Sequence, residues 1–259
     1  MLILDTLLQV KDTFSIISNE KPDNVKQVKR IADMNTTSIV QFEGQDILLI
    51  MGTRYIKSQT SLIYLLPLNI RGRKEILIQS YIINEFFQKL RKKGLRDLNI
   101  NGSSGFNKQM ILAITGKNKR YNNHLVVCDV NFWQKGIATN FSIIPVKFAG
   151  ESIRITGLTY VPETDWLLFS ANNMDNPSHN FAGIIPNASK ALKDGRAITP
   201  IELISDQDLD SGELDGSLES LSVDIADNKQ VILYLLKNEP QKQSTIFRVK
   251  VQLTDALGK

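Results

Sequence analysis

The chain has 259 residues, 42% of them apolar and 22% charged, with a formal net charge of +4. That is enough chain to bury a sizeable core and an ordinary balance for a globule; the basic excess is too mild to define a polyanion-binding protein, and no apolar run approaches the ~20 residues of a membrane helix. A lone cysteine, Cys128, excludes an internal disulfide framework.

At the N-terminus, Met1–Asp5 carries no basic segment, and Asp5 interrupts the apolar stretch at once. No signal peptide is expected, which points to the cytoplasm; a periplasmic or exported protein stays open if a leader has been removed. Segments 7–10, 14–17 and 25–28 predict three short strands, a partial first unit. Strands follow near 38–43, 46–52, 60–68 and 75–82, with Glu43–Gln45 as a turn and Pro67 at a strand end, where its missing N–H does no harm.

A helix is predicted over 84–93. Asn84 can cap it, Glu85 sits at the positive dipole end, and Phe86, Phe87 and Leu90 share one face. Basic residues fill the last turn and Gly94 ends it.

Beyond the helix one motif recurs: a strand led by small or polar residues, a turn, then a dense apolar strand. Gly102–Phe106 precedes Met110–Ile114, Gly157–Val161 precedes Trp166–Phe169, and Ser220–Asp224 precedes Val231–Tyr234. Ser38–Phe42 before Ile47–Met51 is an earlier instance. The starts at Ser38, Gly102, Gly157 and Ser220 are roughly 55 to 65 residues apart, the mark of a repeat β architecture.

The expectation is an all-β chain: a β-propeller of about five four-stranded blades, or six if one long unit splits, with one short helix. It forms a single domain over 1–259, with units near 1–33, 34–97, 98–152, 153–212 and 213–259. The last unit supplies three strands, and Leu2–Leu8 is expected to complete it and close the ring. Polar loops at 115–123, 171–180 and 237–244 occupy one structural position, so they are expected to gather on one face, the mouth of a funnel.

Chemistry is sparser than architecture. The only histidines, His124 and His179, have no ligand-type neighbours, so no metal site is assigned. The oxygen-rich stretch Asp208–Gly216 lacks the spacing of a calcium loop; calcium stands as a remote alternative and no other cofactor is evident. Neither a nucleophile elbow nor a phosphate loop is present, and Gly102–Gly105 reads as a crowded innermost strand. The basic clusters lack interleaved exposed aromatics, so nucleic acid is not an expected partner. Cys128 and Trp166 read as core, and Trp133 as packing between blades or as a stacking surface.

The residues expected around the axis are Asn35, Asn101, Thr156 and Glu219, at the starts of innermost strands. The loops add Asn118, Asn172 and Asp175 to this ligand-binding set. Glu219 is the single candidate for a catalytic role.

The stretches 155–171, 181–189, 98–102, 122–129, 218–224 and 244–250 resemble, in order and spacing, an uncharacterised bacterial propeller family. It is a domain-of-unknown-function group distantly similar to phytase-like and esterase-like propellers. The resemblance implies a propeller with a site at the funnel mouth and acidic residues on the innermost strands. Of the matching positions Asn35, Asn101 and Glu219, only Glu219 keeps a charge. An Arg–Gly–Asn stretch of the family matches 115–118 without its arginine, and an acidic loop matches 237–241. Calcium-dependent phosphate chemistry, which needs several carboxylate oxygens, is weakened accordingly.

The functional expectation is a module that binds a small molecule or a protein at the loop-rich funnel face. One alternative is a phytase-like or esterase-like hydrolase, metal-dependent or not, using Glu219 with Asp175 or Glu239. Another is a structural scaffold.

Overall fold

The computed structural model describes residues 2–4, 10–13, 34–52, 61–68, 79–117, 121–134, 140–150, 152–176, 179–205, 216–227, 230–238 and 244–253. A two-stranded ribbon, β1 (Leu2–Leu4) and β2 (Val10–Thr13), precedes four antiparallel meanders. The first is β3 (Met34–Phe42), β4 (Gln45–Gly52), β5 (Leu62–Pro67) and β6 (Gln79–Ile82). The second is β7 (Arg96–Phe106), β8 (Gln109–Lys117), β9 (Asn123–Asp129) and β10 (Phe141–Val146). The third is β11 (Ile153–Val161), β12 (Trp166–Asn173), β13 (Asn180–Ile185) and β14 (Ile201–Ser205). The fourth is β15 (Ser217–Asp227), β16 (Gln230–Asn238) and β17 (Thr245–Gln252).

Strands pair in chain order within each sheet, and the first strands β3, β7, β11 and β15 lie against one another in succession. The sheets therefore fan out from a common axis, a propeller-like arrangement. Among the described residues there are four blades, not five or six. In the unit expected at 1–33, β1 pairs with β2, and the strands expected at 14–17 and 25–28 lie outside the described residues. β1 and β2 form a sheet of their own, so among the described residues β1 does not extend the last blade, which has three described strands.

Three apolar layers join the four blades. The first lies between blades one and two, where Leu49, Met51 and Leu65 meet Ile100, Leu112 and Val126. The helix α1 (Asn84–Lys92) caps this layer with Phe86, Phe87 and Leu90. Trp133 packs between blades, its ring centroid 5.4 Å from that of Phe42. Cys128 is fully buried, and burial, with Asp129 adding, pushes its thiol far above the ordinary range. The second and third layers centre on Leu167 and Phe169, and on Leu168, Ile184 and Leu233, with Trp166 in the third.

α1 matches its expected span but starts differently. Ile83 occupies the N-cap, and the Asn84 side chain instead accepts the Ser61 N–H at 3.0 Å, pinning the helix to the start of β5. The C-terminus follows the expected glycine stop: Gly94 (φ 95°) donates to Arg91 O at 2.9 Å and Leu95 to Leu90 O at 3.3 Å.

A second helix, α2 (Ala188–Asp194), was not expected. Asp165 anchors its first turn: the Asp165 carbonyl accepts Ala188 N–H at 2.8 Å, and its carboxylate accepts Ser189 N–H at 2.9 Å. Those partners are supplied from 23 or more residues away, so no local signal marks the helix.

His124, in β9, is fully buried, and desolvation lowers its pKa to about 4 from 6.5. The depressed folded value means the neutral ring supports the fold above pH 6.5, and this support is lost as pH falls toward 4. Wild type should lose about 2–3 kcal/mol between pH 7 and pH 4.5 beyond any loss in His124→Gln, as read by urea unfolding. The ring should titrate near pH 4 by NMR; a midpoint near 6.5 would refute the assignment.

Candidate functional site

Each innermost strand breaks its ladder at the same place. The register slips between Met34 and Thr36 in β3 and between Ile100 and Gly102 in β7. It slips again between Ile155 and Gly157 in β11 and between Leu218 and Ser220 in β15. The extra residues are Asn35, Asn101, Thr156 and Glu219, the four positions expected around the axis. A bulged residue has no cross-strand partner, and its side chain is re-aimed out of the alternating pattern. Aligned on the bulges, Thr36 corresponds to Gly102, Gly157 and Ser220, which moves the start of the first unit two residues back from Ser38.

The position after the bulge is small for a steric reason. A Cβ on Gly102 would lie 3.1 Å from the Gly157 carbonyl carbon. One on Gly157 would lie 2.6 Å from Ser170 Oγ and 2.8 Å from Leu221 N. Consecutive innermost strands approach so closely that backbone meets backbone. This is why Gly102–Gly105 carries small residues.

Side chains fix the bulges at Thr156 and Glu219 from the preceding blade. Asn123 at the start of β9 donates from Nδ2 to Ile153 O at 2.6 Å and accepts Ile155 N–H at 3.4 Å. At the next interface two residues divide this role: Asn180 donates to Gly216 O at 2.8 Å, and Asn172 accepts Leu218 N–H at 2.9 Å. The backbone groups held are the equivalent ones, just ahead of Thr156 and Glu219. Hydroxyls add further ties: Ser104 accepts Tyr160 N–H at 2.8 Å, and Thr159 donates to Leu221 O at 3.1 Å.

A cavity of about 420 Å³ lies at the axis, bordered by all four innermost strands. Asn101, Thr156 and Glu219 border it together. The Asn101 amide donates to the Thr115 hydroxyl, and Thr156 Oγ1 lies 3.0 Å from Ser170 Oγ, so both side chains are braced on the second strand of their own blade. Glu219 accepts the Ser217 hydroxyl through Oε1. Asn35 occupies the fourth bulge, with its side chain outside the described residues.

The remaining expected residues lie elsewhere. Asn172 is buried in its inter-blade bond and does not border the cavity. Asp175 sits in the exposed turn after β12, where it accepts the Ser152 hydroxyl and its N–H bonds Asn173 Oδ1 at 3.0 Å. Asn118 and Glu239 lie outside the described residues, as does much of the loop face.

Several bordering residues had not been singled out. Thr37, Ser220 and Ser222 present exposed hydroxyls, and Ile39 and Leu48 form an apolar wall. Strand alternation was the available signal, but the bulge inverts it. Tyr160 backs the cavity, edge-on to Phe106 at 4.7 Å, with its hydroxyl 3.1 Å from Asp165 Oδ1. Burial raises the Tyr160 pKa; among its smaller influences, the Ser189 bond lowers it and Asp165 raises it. Ser38 and Ser103 also border the cavity, with buried hydroxyls that have no partner among the described residues. Buried polar atoms of that kind cost ~1–3 kcal/mol each.

Fold and site thus define a propeller-like protein with a polar axial cavity. The chain belongs to a family of unknown function (DUF6929), whose model matches residues 5–251. No curated protein matches it. No helix among the described residues is long and apolar enough to cross a membrane.

The close approach of the innermost strands gives a direct test. Gly157→Ala should destabilise the protein by about 1–3 kcal/mol through overpacking against backbone. Gly150→Ala, whose Cβ would find its nearest neighbour at 3.8 Å, should stay within about 0.5 kcal/mol. Equal denaturation midpoints for the two variants would contradict the packing described.

Proposed function

We propose that this protein is a non-catalytic binding module, acting as a single domain, that holds a small polar molecule in its axial cavity. The observation that carries the reading is the fourfold repetition of the bulge. A bulge forfeits ladder hydrogen bonds, and four of them recur at one level of the innermost strands, with Asn101, Thr156 and Glu219 bordering the cavity together. Bulges concentrate where a side chain must be re-aimed at a site, and ligand pockets combine concavity with a few placed polar groups.

The lining favours binding over turnover. Its described residues are hydroxyls, amides, backbone and a few apolar side chains, with Glu219 the one carboxylate among them. A phytase-like or esterase-like hydrolase would ask Glu219 to work with a second acid or a nucleophile. Asp175, one partner considered for it, is held in a surface turn by Ser152 and Asn173.

Thermal-shift and saturation-transfer measurements with glucose, glucosamine and inorganic phosphate, with calcium and with EDTA, test the reading. At least one organic probe should bind. Thr37→Trp, which fills the cavity from an exposed position, should weaken that binding by about tenfold or more while changing stability by no more than ~0.5 kcal/mol. Binding that survives Thr37→Trp would place the ligand elsewhere. Turnover of a generic phosphate or acyl ester that Glu219→Gln abolishes would replace the binding module with a hydrolase.

A further inference from the structure

Resting on the axial cavity as a binding site, we infer that its ligand is a small hydroxylated organic cation: an amine carrying neighbouring hydroxyls, of amino-sugar or amino-alcohol type. Charge sets the sign. No lysine, arginine or histidine is among the described residues bordering the cavity, and Glu219 is the single carboxylate. Tyr160 does not change this balance, because its hydroxyl is engaged with Asp165. A phosphate or carboxylate ligand entering this space would face the Glu219 carboxylate with no cation from the described lining to offset it. A monocation would meet a complementary charge in a partly desolvated site, where the interaction is stronger than in water.

Geometry refines the class. Ser217 occupies Oε1 of Glu219, and Oε2 has no partner among the described residues, which leaves one oxygen for one ammonium group. Along β15, Ser220 and Ser222 present exposed hydroxyls, and Thr37 presents another from β3. None of the three is bonded to another described residue, and each can both donate and accept, which suits ligand hydroxyls. The wall contributed by the first blade is apolar: Ile39 is 58% exposed, and Leu48 borders the cavity beside it. Ile39 and Leu48 lie directly opposite across the β3–β4 pair, so they form one continuous patch. An apolar wall together with hydroxyls and one carboxylate fits a ligand with a C–H face, a hydroxyl edge and one positive charge. The volume of about 420 Å³ lies toward the small end of ligand pockets, which span ~300–1,000 Å³.

Isothermal titration at neutral pH and low salt with glucosamine, ethanolamine, glucose, N-acetylglucosamine and inorganic phosphate separates the cases. Glucosamine should bind at least about tenfold more tightly than glucose or N-acetylglucosamine, its neutral counterparts, and phosphate should not compete. Glu219→Gln should weaken glucosamine by about 10- to 100-fold, the range for losing a charge-assisted hydrogen bond, and leave the neutral sugars nearly unchanged. Comparable binding of ethanolamine would assign the amino-alcohol arm; its absence beside bound glucosamine would assign the amino sugar. The comparison of charged and neutral sugars on wild type needs no variant and stands if Glu219→Gln fails to fold. Equal affinity for glucose and glucosamine, lost in Thr37→Trp, would overturn the cation while leaving the cavity as a binding site. Binding by none of these probes would overturn both.

Discussion

Everything at the centre of this molecule depends on how closely its innermost strands can approach one another. Gly102 and Gly157 adopt ordinary backbone angles, so conformational freedom is not what requires glycine there. The requirement comes from the next strand, whose backbone lies where a Cβ would go. Four sheets radiating from one axis crowd most at their inner edges, and on the second and third innermost strands that crowding leaves no room for a side chain at Gly102 and Gly157.

The bulge resolves a conflict created by this crowding. A regular strand alternates its side chains between the two blade interfaces, and both interfaces at the axis are narrow. Inserting one residue releases a side chain from the alternation and lets the strand resume pairing beyond it. The unpaired backbone just ahead of each bulge must still be satisfied, because a buried orphan group costs as much as a lost hydrogen bond. Asn123 supplies both partners at one interface, and Asn172 with Asn180 supplies them at the next. A single amide serves in one case and two in the other, with equivalent backbone groups held in both. The ties therefore answer to the bulge and not to a particular sequence. They also brace each blade on the one before, beside apolar layers whose burial is non-directional and cannot by itself fix a register.

The architecture was legible in the sequence wherever a dense strand such as Ile47–Met51 or Trp166–Phe169 marked the middle of a blade. Such a strand is buried on both faces, so it reads as a run and not as an alternation. Residues 1–33 contain turn signals, short apolar pairs and one run, Met1–Leu4, that Asp5 breaks at once, and counting them as a blade inflated the total. α2 escaped notice because seven residues carry little periodicity and its anchor, Asp165, lies a whole hairpin earlier. At the axis, setting the units side by side was enough to align Asn101, Thr156 and Glu219, while Asn35 rested on the family resemblance, since a first unit begun at Ser38 puts Thr37 in that place. That they are bulges was not legible, since a bulge is a property of pairing between strands and leaves composition unchanged. Asn172 reads as a loop residue because it follows a dense strand and precedes polar residues. Only the pairing of β12 with β13 shows that the strand continues through it.

The bulge also separates what must be constant from what is free to vary. The residue after it is held to glycine at Gly102 and Gly157 by the approach of the neighbouring backbone, and is Thr36 or Ser220 on the other two strands. The bulged residue is outside the ladder, so its identity does not affect strand pairing, and this chain carries Asn, Asn, Thr and Glu at the four positions. The geometry of the axial cavity is thus kept in backbone and glycine, while Asn101, Thr156 and Glu219 carry side chains of different chemistry at its border. Replacing one bulged residue changes the charge or hydrogen-bonding of the cavity without repacking the blades. On this scaffold the bulged positions lie outside the strand pairing, which is why the architecture was readable from the repeat while any ligand has to be argued from the charge and hydroxyls at the axis.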